Sequence, residues 1–172
     1  MTYKLKNIIF LTLVGIIISA CTVSYSFTGA SIAPEVKTVS VKIFPNYAPL
    51  AQPVLSQVFT EALRDIFLSQ TNLNLVDKGG DLHFEGSITG YQSNPTAIQS
   101  GEVAQAALNR LSITVNVIFT NKFDEKQDFE ANFTRFADYD ASRNLADVEL
   151  ELIDEINEQL VQDIFNKAVT NW

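Results

Sequence analysis

Apolar and polar residues change period along the chain, and the changes mark its elements. Val39, Val41 and Ile43 alternate with Thr38, Ser40 and Lys42, which predicts a half-buried strand ended by Pro45, Asn46 and Pro49. Pro53 suits the first turn of a helix. Val54, Leu55, Val58, Phe59, Ala62, Leu63, Ile66 and Phe67 then recur at three- and four-residue steps, predicting an amphipathic helix over 53–70. Leu73 to Val76 reads as a short strand and residues 78–81 as a turn. From Leu82 to Tyr91 the alternation returns, with Leu82, Phe84, Gly86, Ile88 and Gly90 on the apolar face and His83, Glu85, Ser87 and Thr89 opposite. Residues 93–107 carry little pattern.

Leu111, Ile113, Val115, Val117 and Phe119 predict a long strand with one apolar face, and residues 121–127 a turn. Phe129, Ala131 and Phe133, against Glu130, Asn132 and Thr134, complete an antiparallel hairpin. A final helix, with Asn144 as its N-cap, runs along the stripe Leu145, Val148, Leu152, Ile156, Leu160, Ile164 and Ala168. Its exposed side carries Asp147, Glu149, Glu151, Asp154, Glu155 and Glu158, with Lys167 near the end, signs that suit the helix dipole. One crossover followed by a meander predicts an α+β two-layer sandwich, a mixed β-sheet of four to five strands with two helices packed on one face. Phe59, Leu63, Ile113, Val115, Phe133, Ile156 and Leu160 form its expected core.

The first twenty-one residues follow a different rule. Lys4 and Lys6 precede an apolar run from Ile8 to Ile18, and Ser19-Ala20 leads into Cys21, the single cysteine. A charged start, an apolar centre and small residues at the cut describe a secretory signal. Eleven residues from Ile8 to Ile18 fall short of the ~20 that a spanning helix needs. Small residues followed by Cys resemble the lipobox of bacterial lipoproteins, in which Cys21 is acylated and becomes the new amino terminus. The division expected is a signal peptide over 1–20, a lipidated tether over 21–35 and one α+β domain over 36–172. Multiple acyl chains would hold that domain beside a membrane.

Charge narrows the partners. Without Lys4 and Lys6 the mature chain has 10 bases against 20 acids, a net −10. That balance argues against nucleic acid, which needs a basic footprint, and against charge-driven adsorption to an anionic bilayer. With Cys21 acylated no thiol remains for a disulfide, a metal or a nucleophile. His83, the only histidine, is no zinc site by itself. No glycine-rich phosphate loop leads into a helix and no Ser-His-Asp order appears, so neither an enzyme nor a cofactor is expected. The sheet face opposite the apolar one would carry Ser87, Thr89, Ser112, Thr114, Asn116, Thr120, Asn132 and Thr134. That is either a solvated face or a surface matched to a polar, wet partner wall.

Together these stretches look familiar. The lipobox, Ser26 to Ala30, Val39 to Phe44, Pro49 to Leu68, Leu73 to Asp77 with Gly80-Asp81-Leu82, Leu108 to Leu111 and an acidic helix ending at Trp172 resemble the LptE family of lipopolysaccharide-assembly lipoproteins. The resemblance rests on element order and local phrases along the whole mature chain. It implies two helices on a mixed four-stranded sheet, and an outer-membrane lipoprotein facing the periplasm. It also implies an LptD-type barrel as partner, plugged by this domain, with lipopolysaccharide as the molecule delivered. Ten scattered bases form no obvious phosphate-binding patch, so the barrel is carried over further than direct lipopolysaccharide contact. A domain of this size has a radius of gyration of ~15 Å, which suits a barrel of ~22 strands or more. The alternative is a lipoprotein that activates a peptidoglycan synthase, although such proteins usually have a longer tether. Ser93 to Asn109 is long for a connection inside a compact domain, and such loops tend to carry function. Ser93, Asn94, Gln99, Glu102, Asn109 and Arg110 are therefore the expected barrel contacts, with Arg110 pairing an acid there.

Overall fold

A computed structural model describes residues 32–96 and 107–169. The expected signal, Cys21, most of the expected tether, Gln99, Glu102 and Trp172 lie outside the described residues. The elements follow the expected order. They are β1 (Thr38–Val41), α1 (Leu55–Gln70), β2 (Asn74–Leu75), β3 (Leu82–Pro95), β4 (Leu108–Asn121), a 3-10 turn (Glu125–Gln127), β5 (Phe129–Asp140) and α2 (Leu145–Val169). The five strands form one sheet in the order β2-β1-β3-β4-β5. β1 runs parallel to both β2 and β3, whereas β3-β4 and β4-β5 are antiparallel. This is the expected α+β sandwich.

Two layers bury one core. The inward row of β4, Leu111 to Phe119, is fully buried beneath the helices, as are Leu55, Phe59 and Leu63 of α1 and Ile156, Leu160 and Ile164 of α2. Phe67 joins the layers, with its ring 4.8 Å from Phe84 and 5.1 Å from Phe165. Phe84 lies 4.8 Å from Phe119 in turn. The Asn157 side chain is buried in α2 without a hydrogen-bond partner among the described residues.

Four expectations need correction. Ile43 is exposed and Phe44 is buried in its place, because one extra residue between Val41, paired with Phe84, and Asn46, paired with Ile88, shifts the alternation. Gly90 lies opposite Thr114 on the polar face, since an irregularity between Ile88 and Gly90 turns Tyr91 inward. Phe133 points toward the core but is only partly buried, because β5 is an edge strand. Glu149, expected on the solvated side of the last helix, is buried.

Candidate functional site

The open face of the sheet has the predicted chemistry. The register places Asn116 between Ser87 and Asn132, and Thr114 opposite Thr134. Thr114 and Thr134 hydroxyls lie 2.9 Å apart, and the Asn116 amide donates to Asn132 Oδ1 at 3.0 Å. Hydroxyls and amides satisfy one another across the strands, leaving spare donors and acceptors for water or a partner. His83 lies at one end of this face, with its Nδ1 2.7 Å from Ser40 Oγ. Ser40 is fully buried and accepts the Gly80 N–H at 3.1 Å, so it fastens a turn and is no nucleophile. Glu85 pairs with Lys42, whose hydrogen bond holds the carboxyl below its usual range.

β3 and β4 continue as a ladder past Tyr91, pairing Ser93 with Leu111, Asn94 with Arg110 and Pro95 with Asn109. Ser93, Asn94, Asn109 and Arg110 therefore stand on paired strands rather than in the expected connection. The register divides them between faces. Asn94 and Arg110 lie on the polar face, while Ser93 and Asn109 share the side of Leu111. Ser93 Oγ lies 2.8 Å from the Tyr139 hydroxyl.

Arg110 already has an acid within its own chain. Its Nε and Nη2 donate to the two Asp138 oxygens at 2.7 and 2.8 Å, and its guanidinium sits 3.5 Å over the Phe136 ring. The fork geometry and the ring fix Arg110 in place. The same pair holds the Asp138 carboxyl below its ordinary value. Arg110 thus braces β4 against β5.

Sequence patterning missed a second cluster, at the junction of β3, α2 and the loop before α1. The buried Tyr91 hydroxyl donates to Glu149 Oε1, and Gln52 Nε2 donates to Glu149 Oε2 at 2.6 Å. Burial, then the hydrogen bond to Glu149, pushes the Tyr91 phenol well above its usual value, so it stays protonated and donates. Its only signal in the sequence was one acid, Glu149, adjoining the apolar stripe at Val148.

At the opposite end of the sheet, Asp81 Oδ2 accepts the Lys37 and Thr38 N–H groups at 3.0 Å each and the Thr38 hydroxyl at 2.9 Å. The Lys37 amide, then the Thr38 hydroxyl, holds this carboxyl below its usual range. A lowered folded-state pKa contributes stability that is fully present above the unfolded value. That stability is lost as pH falls through the folded one. Melting temperature should therefore decline below about pH 4, and Asp81→Asn should lower it at neutral pH and flatten the decline. An unchanged acid slope in that variant would contradict the role of Asp81.

Among the described residues no group of three or more His, Cys, Asp or Glu is placed to hold a metal ion. No described helix is long and apolar enough to cross a membrane.

Comparison with solved structures gives a likeness of fold. A protein from Xanthomonas campestris matches with a TM-score of 0.51 at 11% identity, over 81% of this chain and 90% of that one. A neuraminyllactose-binding hemagglutinin homolog from Helicobacter pylori matches with a TM-score of 0.51 at 9% identity, over 84% and 89%. The rare lipoprotein B from Shewanella oneidensis is 16% identical over 76% and 92%, with a TM-score of 0.43. No curated protein matches the sequence. A family model described as "LptE: Lipopolysaccharide-assembly" matches residues 36–168, nearly the whole of the folded region. The chain therefore belongs to the LptE family of lipopolysaccharide-assembly proteins.

Proposed function

We propose that this chain is an outer-membrane lipoprotein, anchored through Cys21, that seats in an LptD-type barrel and supports delivery of lipopolysaccharide to the outer leaflet. It acts by binding. The observation that carries the reading is the open sheet face of a family member, where Ser87, Thr114, Asn116, Asn132 and Thr134 form an uncharged array flanked by Glu85, Glu130 and the Arg110–Asp138 pair. A barrel lumen is polar and wet, and such an array meets it through direct and water-bridged hydrogen bonds without burying unpaired charge. The β3–β4 ladder adds Asn94 and Arg110 to the same face and carries Ser93 and Asn109 on the opposite one; Gln99 and Glu102 belong to its connection. From Cys21 to Ile32 is eleven residues, which reach at most ~40 Å at full extension. The anchor thus keeps the domain next to the bilayer.

Two readouts test this in cells. Cys21→Ala should leave the protein unprocessed or free in the periplasm, and depletion of the wild-type chain should reduce lipopolysaccharide at the cell surface. A processed Cys21→Ala variant that still sediments with membranes would refute the anchor. Normal surface lipopolysaccharide after depletion would refute the role in delivery.

A further inference from the structure

Between β1 and α1 the chain runs from Ile43 to Val54 without one charged residue, and it includes Pro45, Pro49 and Pro53. Its backbone is fastened along its length. Ile88 N donates to Pro45 O and Tyr47 N to Ile88 O, each at 2.9 Å, so the segment continues β1 along β3. Ser56 Oγ donates to Phe44 O at 2.6 Å, and the Gln52 amide is held by Glu149. Phe44 and Ala48 are buried. Yet Ile43, Tyr47 and Leu50 expose 68%, 71% and 81% of their surface. Loops with nothing to hold them often leave apolar side chains in water. This one is pinned, so its large side chains are held outward in a fixed arrangement.

We infer that this loop is a docking surface for a protein wall that offers an apolar socket with a basic rim. The inference rests on the proposed function, under which that wall belongs to the barrel partner. Interface centres are depleted of charge and rich in aromatics, and pre-ordered anchors lose less entropy on binding. The charge around the loop selects the occupant. α2 begins beside it, through the Gln52–Glu149 contact, and displays Leu150 at 62% exposure among exposed Asp147, Glu151 and Asp154. The flanking bases are already engaged: Lys42 by Glu85, Arg64 by Glu61, and Arg143 lies within electrostatic reach of Asp140. An apolar centre beside acids that have no basic partner among the described residues repels anionic headgroups and attracts a basic protein rim. Glu149, which ties the loop to α2 and β3, is a positioning residue for this surface.

The test uses the full lipidated chain, tagged and co-expressed with the LptD-type barrel of the same organism, then purified in detergent. Tyr47→Ser with Leu50→Ser is compared with wild type and with Phe123→Ser, an exposed aromatic at the opposite end of the sheet. The double variant should melt like wild type and lose barrel yield roughly tenfold or more, while Phe123→Ser retains it. Leu50→Ser alone should move in the same direction. Asp147→Lys with Glu151→Lys should also lower the yield; unchanged yield there would overturn the basic rim. A folded double variant that holds the barrel as wild type does would overturn the surface and leave the proposed function standing. Wild type that retains no barrel would overturn both. A double variant that keeps the barrel but binds phosphatidylglycerol vesicles less well than wild type would assign the loop to the membrane instead.

Discussion

Gly86→Ala should destabilise the fold by at least about 3 kcal/mol, the upper end of what overpacking a core costs. Gly86 lies in the middle of β3, where Phe44 and the backbone of β4 close on it from two sides. A Cβ there would sit 2.0 Å from the Asn116 carbonyl oxygen and 2.7 Å from Phe44 Cε1. The oxygen is backbone, held in the ladder between β3 and β4, so relief requires opening that ladder. Phe44 has no free volume either, because its ring packs 5.1 Å from Phe59 inside the core. Against the 5–15 kcal/mol typical of a domain, this one methyl group should remove much of the stability. Urea unfolding checks it: the midpoint should fall sharply with little change in slope. A midpoint within error of wild type would mean that the strands do not approach as described.

Phe84→Ala should cost about 3–5 kcal/mol, the usual range for a fully buried ring. Phe84 is the middle of the aromatic row that links Phe67 on α1 to Phe119 on β4, and its loss would open a cavity between two layers. Phe133→Ala should cost roughly half as much, because Phe133 lies on the edge strand and is only partly covered. The comparison matters more than either value. Equal losses would show that β5 is covered as fully as β3, and a larger loss at Phe133 would contradict the strand order.

These two positions also show what the sequence can reveal. β4 was legible because Leu111 to Phe119 alternates without interruption, and helices cover that whole row. α1 was legible for the matching reason, an apolar stripe that meets one sheet. The outer ends of β3 and β4 were not legible. Past Tyr91 the residues of β3 are exposed while the backbone ladder continues. Period-two patterning reports burial, and pairing without burial leaves no trace in it. Gly90 was assigned to the wrong face because one irregularity reverses every later side chain. Ile43 falls outside because alternation cannot show the extra residue that shifts the chain against β3 between Val41 and Asn46.

The candidate surface was legible in kind and less so in detail. Its hydroxyl and amide row is legible in the sequence of β3, β4 and β5, since side chains alternate across a strand. Which of them touch depends on register, and only the structure sets Asn116 beside Asn132. Arg110 had the opposite fate. An arginine beside a polar stretch suggested pairing with an acid of the partner, whereas Phe136 and Asp138, 26 and 28 residues later, already hold its ring face and two of its nitrogens. Glu149 likewise reads as one more acid on an acidic helix until Tyr91 and Gln52 are brought to it.

Gentle detergent extraction of native outer membranes, followed by affinity purification of the tagged full-length chain, tests the partnership most directly. The expected result is an equimolar complex with an LptD-type barrel that survives size-exclusion chromatography. Recovery of the chain without any barrel, or together with a peptidoglycan synthase, would contradict it.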